Sequence, residues 1–228
     1  MPTYATKTST LKTQVIKSMA NAVPFAVAVL FVMSVLLAVP NGARAEMAPL
    51  KDALSEMSIG SKDAPVTLHE YSSLTCGHCA NFHVKTLPEV KKNYVDTGKV
   101  RIVFHDFPLD NLALAAAMIA RCAGPERHFE LFDRLYHSQD TWARSEKPRA
   151  ALVAIARFSG LSIDDVDQCL QSNELAQGIQ SGAQSAQALY SINSTPTFVL
   201  DGKTVKGSMA YDDFKKILDK SLAAKGAK

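Results

Sequence analysis

Two cysteines stand three residues apart in Thr75-Cys76-Gly77-His78-Cys79, between a stretch that alternates like a strand and one that repeats like a helix, and nothing else in the chain restricts its fold as much. Ala64 to Tyr71 reads Ala-Pro-Val-Thr-Leu-His-Glu-Tyr after a Gly60-Ser61 break, with Val66, Leu68 and aromatic Tyr71 in the pattern of a short strand. Ser72 to Thr75 makes a polar turn. From Cys76 onward Cys79, Ala80, Phe82, His83, Leu87 and Val90 recur at helical spacing, and Pro88 is expected to kink that helix or end its first segment. Val100 to Phe107 reads as a second strand, so the order is strand, helix, strand, the βαβ unit of a parallel sheet.

That setting gives the cysteines a chemistry. A sulfur at the start of a helix faces unpaired N–H groups and the positive end of the helix dipole, so Cys76 ionises more readily than a free cysteine and becomes the nucleophile. Cys79 lies one turn on, on the same face and within bridging reach, and its N–H joins those that stabilise the Cys76 thiolate. His78 stands between them and is expected to add hydrogen bonding or positive charge toward Cys76, which stabilises the reduced pair and makes its disulfide a stronger oxidant.

The rest of the chain builds around this unit. Residues 111–190 read as helical throughout: Leu112 to Cys122, Arg127 to His137, Arg149 to Phe158, a short helix through Cys169 opened by a Ser162/Asp165 capping box, and Leu175 to Tyr190. Strand character returns at Thr197 to Leu200, an Asp201-Gly202 turn and Thr204-Val205, the signature of a hairpin. Tyr211 to Leu222 closes the chain as an amphipathic helix. The expected plan is a βαβ unit, a helical insertion, a β-hairpin and a last helix.

Residues 1–45 stand apart. Lys7, Lys12 and Lys17 precede an apolar run from Ala22 to Val39, which closes on Pro40-Asn41-Gly42 and Ala43-Arg44-Ala45, the order of a secretory signal with cleavage after Ala45. The run is also long enough to stay in a bilayer as an anchor, and either outcome puts Glu46 onward outside the cytoplasm. Residues 46–59 then form a short amino-terminal segment and 60–228 one domain. The whole chain carries 25 Lys and Arg against 22 Asp and Glu; with the four bases of the leader removed, 21 stand against 22 and the net charge is −1. That balance, without a basic stripe, excludes nucleic acid as a partner.

All four cysteines, Cys76, Cys79, Cys122 and Cys169, fall in the exported part, where disulfides persist. The spacing favours pairing Cys76 with Cys79 and Cys122 with Cys169 out of three possible connectivities. A different chemistry competes for the first pair: Cys76, Cys79 and His83 fall at i, i+3 and i+7 on one helical face and would suit a zinc- or copper-delivery protein. Closed zinc sites usually draw on a second short-spaced pair, which the isolated Cys122 and Cys169 do not supply, so the redox reading is preferred and His83 is assigned to packing beside the site.

The Cys76-Gly77-His78-Cys79 motif in its βα setting, Thr195-Pro196-Thr197-Phe198 at the start of the hairpin, and the helical block between them resemble the DsbA family of periplasmic disulfide-forming enzymes, over about Gly60 to Leu222. The resemblance implies an α/β, thioredoxin-like fold with an all-helical insertion. It implies a thiol–disulfide oxidoreductase that introduces disulfides into reduced exported proteins in the periplasm, without a dissociable cofactor, and is reoxidised by a membrane partner of the DsbB type. It also carries roles to particular residues. Glu70 corresponds to a buried acid that exchanges a proton with Cys79, although strand alternation alone leaves open whether it faces inward. Thr195 and Pro196 correspond to a cis-proline element that pairs with substrate backbone. Cys122 and Cys169 correspond to a second, structural disulfide found in some members. The dipeptide Gly77-His78 departs from the family's usual proline-histidine and is similar to that of protein disulfide isomerase, so an isomerase or reductase of the same fold is the alternative direction.

Overall fold

The computed structural model describes residues 46–227, so the leader, its cleavage after Ala45 and its retention as an anchor lie outside the described residues. Among the described residues no helix is long and apolar enough to cross a membrane.

Five strands form one sheet in the order β1-β3-β2-β4-β5. Central β2 (Val66–Ser72) runs parallel to β3 (Val100–Asp106) and antiparallel to β4 (Thr197–Leu200). At the edges β1 (Met57–Ile59) pairs antiparallel with β3, and β5 (Lys203–Lys206) with β4. Strand β1 takes its place in the sheet from the stretch that sequence set apart as an amino-terminal segment; three residues are too few to show an alternation. A short α1 (Leu50–Ala53) precedes it.

The parallel β2 and β3 need a crossover, and the helical stretch 77–95 supplies it. It opens as α2 (Gly77–Asn81), widens into a π turn over Phe82–Thr86, continues as α3 (Leu87–Val90) and widens again over Lys91–Val95. Pro88 sits in the first turn of α3 and does not end the helix. Its ring would collide with the carbonyl four residues back and cannot donate to it, and the wider turn immediately before it is where the helix absorbs that defect.

The insertion holds α4 (Asn111–Cys122), α5 (Pro125–His137), α6 (Gln139–Ala143), α7 (Pro148–Phe158), α8 (Ile163–Gln171) and α9 (Asn173–Tyr190). The capping box at α8 forms as sequence implied, with the Ser162 hydroxyl accepting from Asp165 N and the Asp165 carboxylate accepting from Ser162 N. The hairpin follows, and α10 (Tyr211–Ala224) ends the fold. On the main face of the sheet Val66, Leu68, Ile102, Phe104 and Phe198 pack with Phe82 of the crossover and Phe214 and Leu218 of α10. On the other face Tyr71 and Val199 pack with Ala186 of α9. This is the thioredoxin-like architecture with a helical insertion.

Candidate active site

Cys76 caps α2. Its backbone is extended (φ −81°, ψ 117°), and its carbonyl accepts the N–H of Ala80 at 3.1 Å to start the helix. The sulfur is partly exposed and both active-site thiols are free. The Cys76 thiol is lowered from an ordinary 9.0 to about 5, first because the Cys79 thiol donates to it. The Thr195 side chain and the backbone N–H groups of Cys79 and His78 act in the same direction, against desolvation. The two N–H groups are donors that a helix start exposes, aimed at the sulfur that caps it. Cys79, fully buried behind it, is pushed strongly upward by desolvation and then by the neighbouring Cys76. One thiol is held ready to ionise and the other is held protonated.

The carbonyl of Thr195 accepts from the Cys76 thiol at 3.3 Å, which brings residues 119 positions apart into contact, and the Thr195–Pro196 peptide bond is cis. The Thr195 hydroxyl is buried without a hydrogen-bond partner beside the neutral thiol, yet it helps to lower the Cys76 pKa. Gly77 and His78 are both exposed, and what His78 gives Cys76 is its backbone N–H.

Glu70 faces inward, on the face of β2 that carries Val66 and Leu68, level with Phe104 of β3 and Phe198 of β4. Its Oε1 lies 2.8 Å from Nε2 of His83, and both side chains are 0% exposed. His83 therefore does more than pack: it is the hydrogen-bond partner of the buried acid. Among the described residues no group of three His, Cys, Asp or Glu side chains is placed to hold a metal, so Cys76, Cys79 and His83 do not converge as ligands.

Two straps from the insertion reach the motif, and sequence pointed to neither. Gln139 of α6 donates to the carbonyls of Leu74 and Cys76 at 2.8 and 3.0 Å. Asp110 caps α4 through Ala113 N and accepts the Thr75 hydroxyl, both at 2.7 Å. Beside them opens a groove of about 670 Å³, lined by Thr75, Gly77, Val84, Leu112, Tyr136 and Gln139 among others. Within the insertion Cys122 of α4 and Cys169 of α8 form a buried disulfide with their Cα atoms 6.2 Å apart.

A thioredoxin family model matches residues 52–220. A Rickettsia prowazekii protein named as a protein-disulfide oxidoreductase is 32% identical over 169 residues, which cover 74% of this chain and 62% of that protein. The chain thus spans about three fifths of the length of the Rickettsia relatives it matches. Disulfide bond formation protein D of Bacillus subtilis is 23% identical, covering 73% of this chain and 77% of that protein. Among solved structures, that of Wolbachia pipientis alpha-DsbA1 superposes with a TM-score of 0.70 at 30% identity, over 75% of this chain and 92% of that one. The chain belongs to the DsbA-like branch of the thioredoxin superfamily.

Proposed function

We propose that this protein is a thiol–disulfide oxidoreductase that introduces disulfide bonds into reduced exported proteins. The observation that carries the reading is the opposed pair of thiols, Cys76 lowered to about 5 and Cys79 pushed up behind it. Holding a thiolate stabilises the reduced enzyme and so makes the disulfide a better electron acceptor. With the sulfur's partial exposure allowed for, the preference is about 2 kcal/mol at pH 7, or about 40 mV in potential.

Turnover takes two exchanges. A substrate thiolate attacks the Cys76 sulfur of the oxidised pair, and Cys79 leaves with the bonding electrons and takes up a proton. The substrate's second thiolate then attacks its own sulfur in the mixed disulfide, and Cys76 leaves as a thiolate that its donors already stabilise. The substrate holds a new disulfide and the enzyme holds two electrons. In this reading Thr195 and Pro196 receive the substrate backbone beside Cys76, and Glu70 exchanges the Cys79 proton. Exposed Gly77 and His78 leave the attacked sulfur open to a polypeptide. The cycle closes when a membrane partner of the DsbB type removes the electrons, which suits an enzyme exported by residues 1–45 and working in the periplasm, free or anchored.

The test is equilibration of residues 46–228 with glutathione, with Cys76 alkylation as the control. A potential close to −120 mV, the DsbA value, supports the oxidase. One near −270 mV, that of thioredoxin, would move the assignment to a reductase, and absence of exchange would end the reading.

A further inference from the structure

In the core beside Cys79, Glu70 and His83 each keep one buried polar atom without a hydrogen bond, Oε2 of the acid and Nδ1 of the imidazole, and Tyr136 stacks on that imidazole with the Ser72 hydroxyl next to its own. Buried polar atoms are nearly always satisfied, so an unpaired oxygen and an unpaired nitrogen on one hydrogen-bonded pair call for an explanation, and a redox or catalytic role is one that fits this position. We propose that His83 is a positioning residue for the Cys79 half of the reaction, forming with Glu70 one acid–base unit that holds a single labile proton. The inference rests on the thiol–disulfide reading above and deepens it.

The geometry is specific. Strand β2 points Glu70 into the main core, and the π turn of the crossover carries His83 onto it, Nε2 to Oε1 at 2.8 Å with neither side chain exposed. Aromatic rings seal the imidazole: Tyr136 stacks on it at 4.1 Å, and Phe132, Phe82 and Phe104 approach at 5.3, 5.7 and 6.1 Å. A lone carboxylate in such surroundings is costly, whereas a carboxylate and an imidazole sharing one proton are neutral together. The remaining oxygen, Oε2, is the free one. The ionisable groups around the unit are Cys79 of the active helix, which Glu70 helps to push upward, and Tyr136 of α5, which burial and then Cys79 and Glu70 push upward, with the Ser72 hydroxyl of β2 and Asp106 of β3 also acting on Tyr136.

The step balances as follows. When the disulfide opens, the S–S pair of electrons leaves on Cys79; the labile proton of the Glu70–His83 unit moves to that sulfur, and the unit is left as a carboxylate hydrogen-bonded to neutral imidazole. When the disulfide re-forms, Cys79 returns its proton to the unit as its sulfur attacks. Burial and the adjacent Cys76 thiolate make a free Cys79 anion unfavourable, so the proton has to be within reach.

The decisive variant is His83→Gln, which can still donate to Oε1 but cannot hold the extra proton. Reduction of the oxidised enzyme by dithiothreitol needs Cys79 to be protonated as it leaves; iodoacetamide alkylation of Cys76 does not. We expect H83Q to slow reduction about tenfold or more at pH 7, with a changed pH–rate profile, while the alkylation profile stays within about twofold. The double variant E70Q/H83Q should be no slower than E70Q. Reduction of oxidised H83Q at the wild-type rate and pH profile, or independent effects of the two substitutions, overturns the inference. Should H83Q fail to fold, nitrogen NMR of the His83 ring in the wild-type enzyme decides: its protonation or hydrogen bonding must differ between oxidised and dithiol forms, and an unchanged ring overturns the proposal. Wild-type oxidation of a reduced model protein is measured alongside; its absence defeats the oxidoreductase reading itself, whereas normal turnover with an unperturbed H83Q defeats only the role of His83.

Discussion

The Gln139 amide nitrogen lies 3.0 Å from the carbonyl oxygen of Cys76 and 2.8 Å from that of Leu74, so one side chain of the helical insertion holds the backbone on both sides of Thr75. The Cys76 carbonyl also accepts the first hydrogen bond of the active helix. An amide that fixes this carbonyl fixes the direction of the N–H groups that follow it, and those N–H groups face the Cys76 sulfur.

Replacing Gln139 with Leu keeps the bulk and removes both donors. The Leu74 carbonyl is then buried without a partner, which costs about 1–3 kcal/mol of stability. The start of α2 loosens, and the Cys76 pKa rises. Denaturant unfolding and ultraviolet titration of the thiolate measure the two effects; a variant as stable as wild type with the same Cys76 titration would show that the strap positions nothing.

The hydroxyl of Thr195 gives a narrower prediction. Because it is buried without a partner beside the thiol and helps to stabilise the thiolate, Thr195→Val should raise the Cys76 pKa by roughly half to one unit with little effect on folding. Iodoacetamide alkylation followed across pH reads the shift directly. An unchanged midpoint removes the hydroxyl from the account.

How far these features could be read in advance differs by residue. The β2–α2–β3 unit is local, and its alternation, turn and helical period are written in consecutive residues, so Cys76 and Cys79 were placed by spacing alone. The role of Glu70 comes from family resemblance, since alternation does not say which face of a strand is covered; that depends on helices far along the chain. His83 shares a helical face with both cysteines, and its role stayed hidden because it needs Glu70 from another element at hydrogen-bond distance. Gln139 carries no local signal at all: α6 is five residues long, and its contacts lie more than 60 positions away. Thr195 and Pro196 were reached through family resemblance rather than through anything in their surroundings.

The opposed thiols also set a pH dependence for stability. Cys76 has a depressed folded-state pKa, so its contribution to the reduced enzyme is complete above the unfolded value near 9, declines as pH falls, and is gone below about 5. Cys79 works in the other direction: its folded-state pKa is raised, so above pH 9 the unfolded chain ionises it while the native protein cannot, and stability falls again. The dithiol form should therefore outlast the disulfide form in thermal unfolding most clearly near pH 8, with the gap closing toward pH 5. Melting both forms at a series of pH values checks this, and a gap independent of pH would contradict the stabilised thiolate.

The second disulfide should separate stability from chemistry. Cys122 and Cys169 join α4 to α8 across 47 positions, a loop whose closure in the unfolded chain is worth about 4 kcal/mol by chain entropy. Both sulfurs are buried in the core and belong to helices of the insertion, not to the active helix α2. The double variant Cys122→Ala/Cys169→Ala should lose about 3–4 kcal/mol in denaturant unfolding. Its Cys76 titration and its dithiothreitol reduction rate should remain within about twofold of wild type, as a staple requires. A moved Cys76 titration in a still-folded variant would instead mean that α4, whose capping Asp110 holds the Thr75 hydroxyl, transmits the state of this bond to the active cysteine.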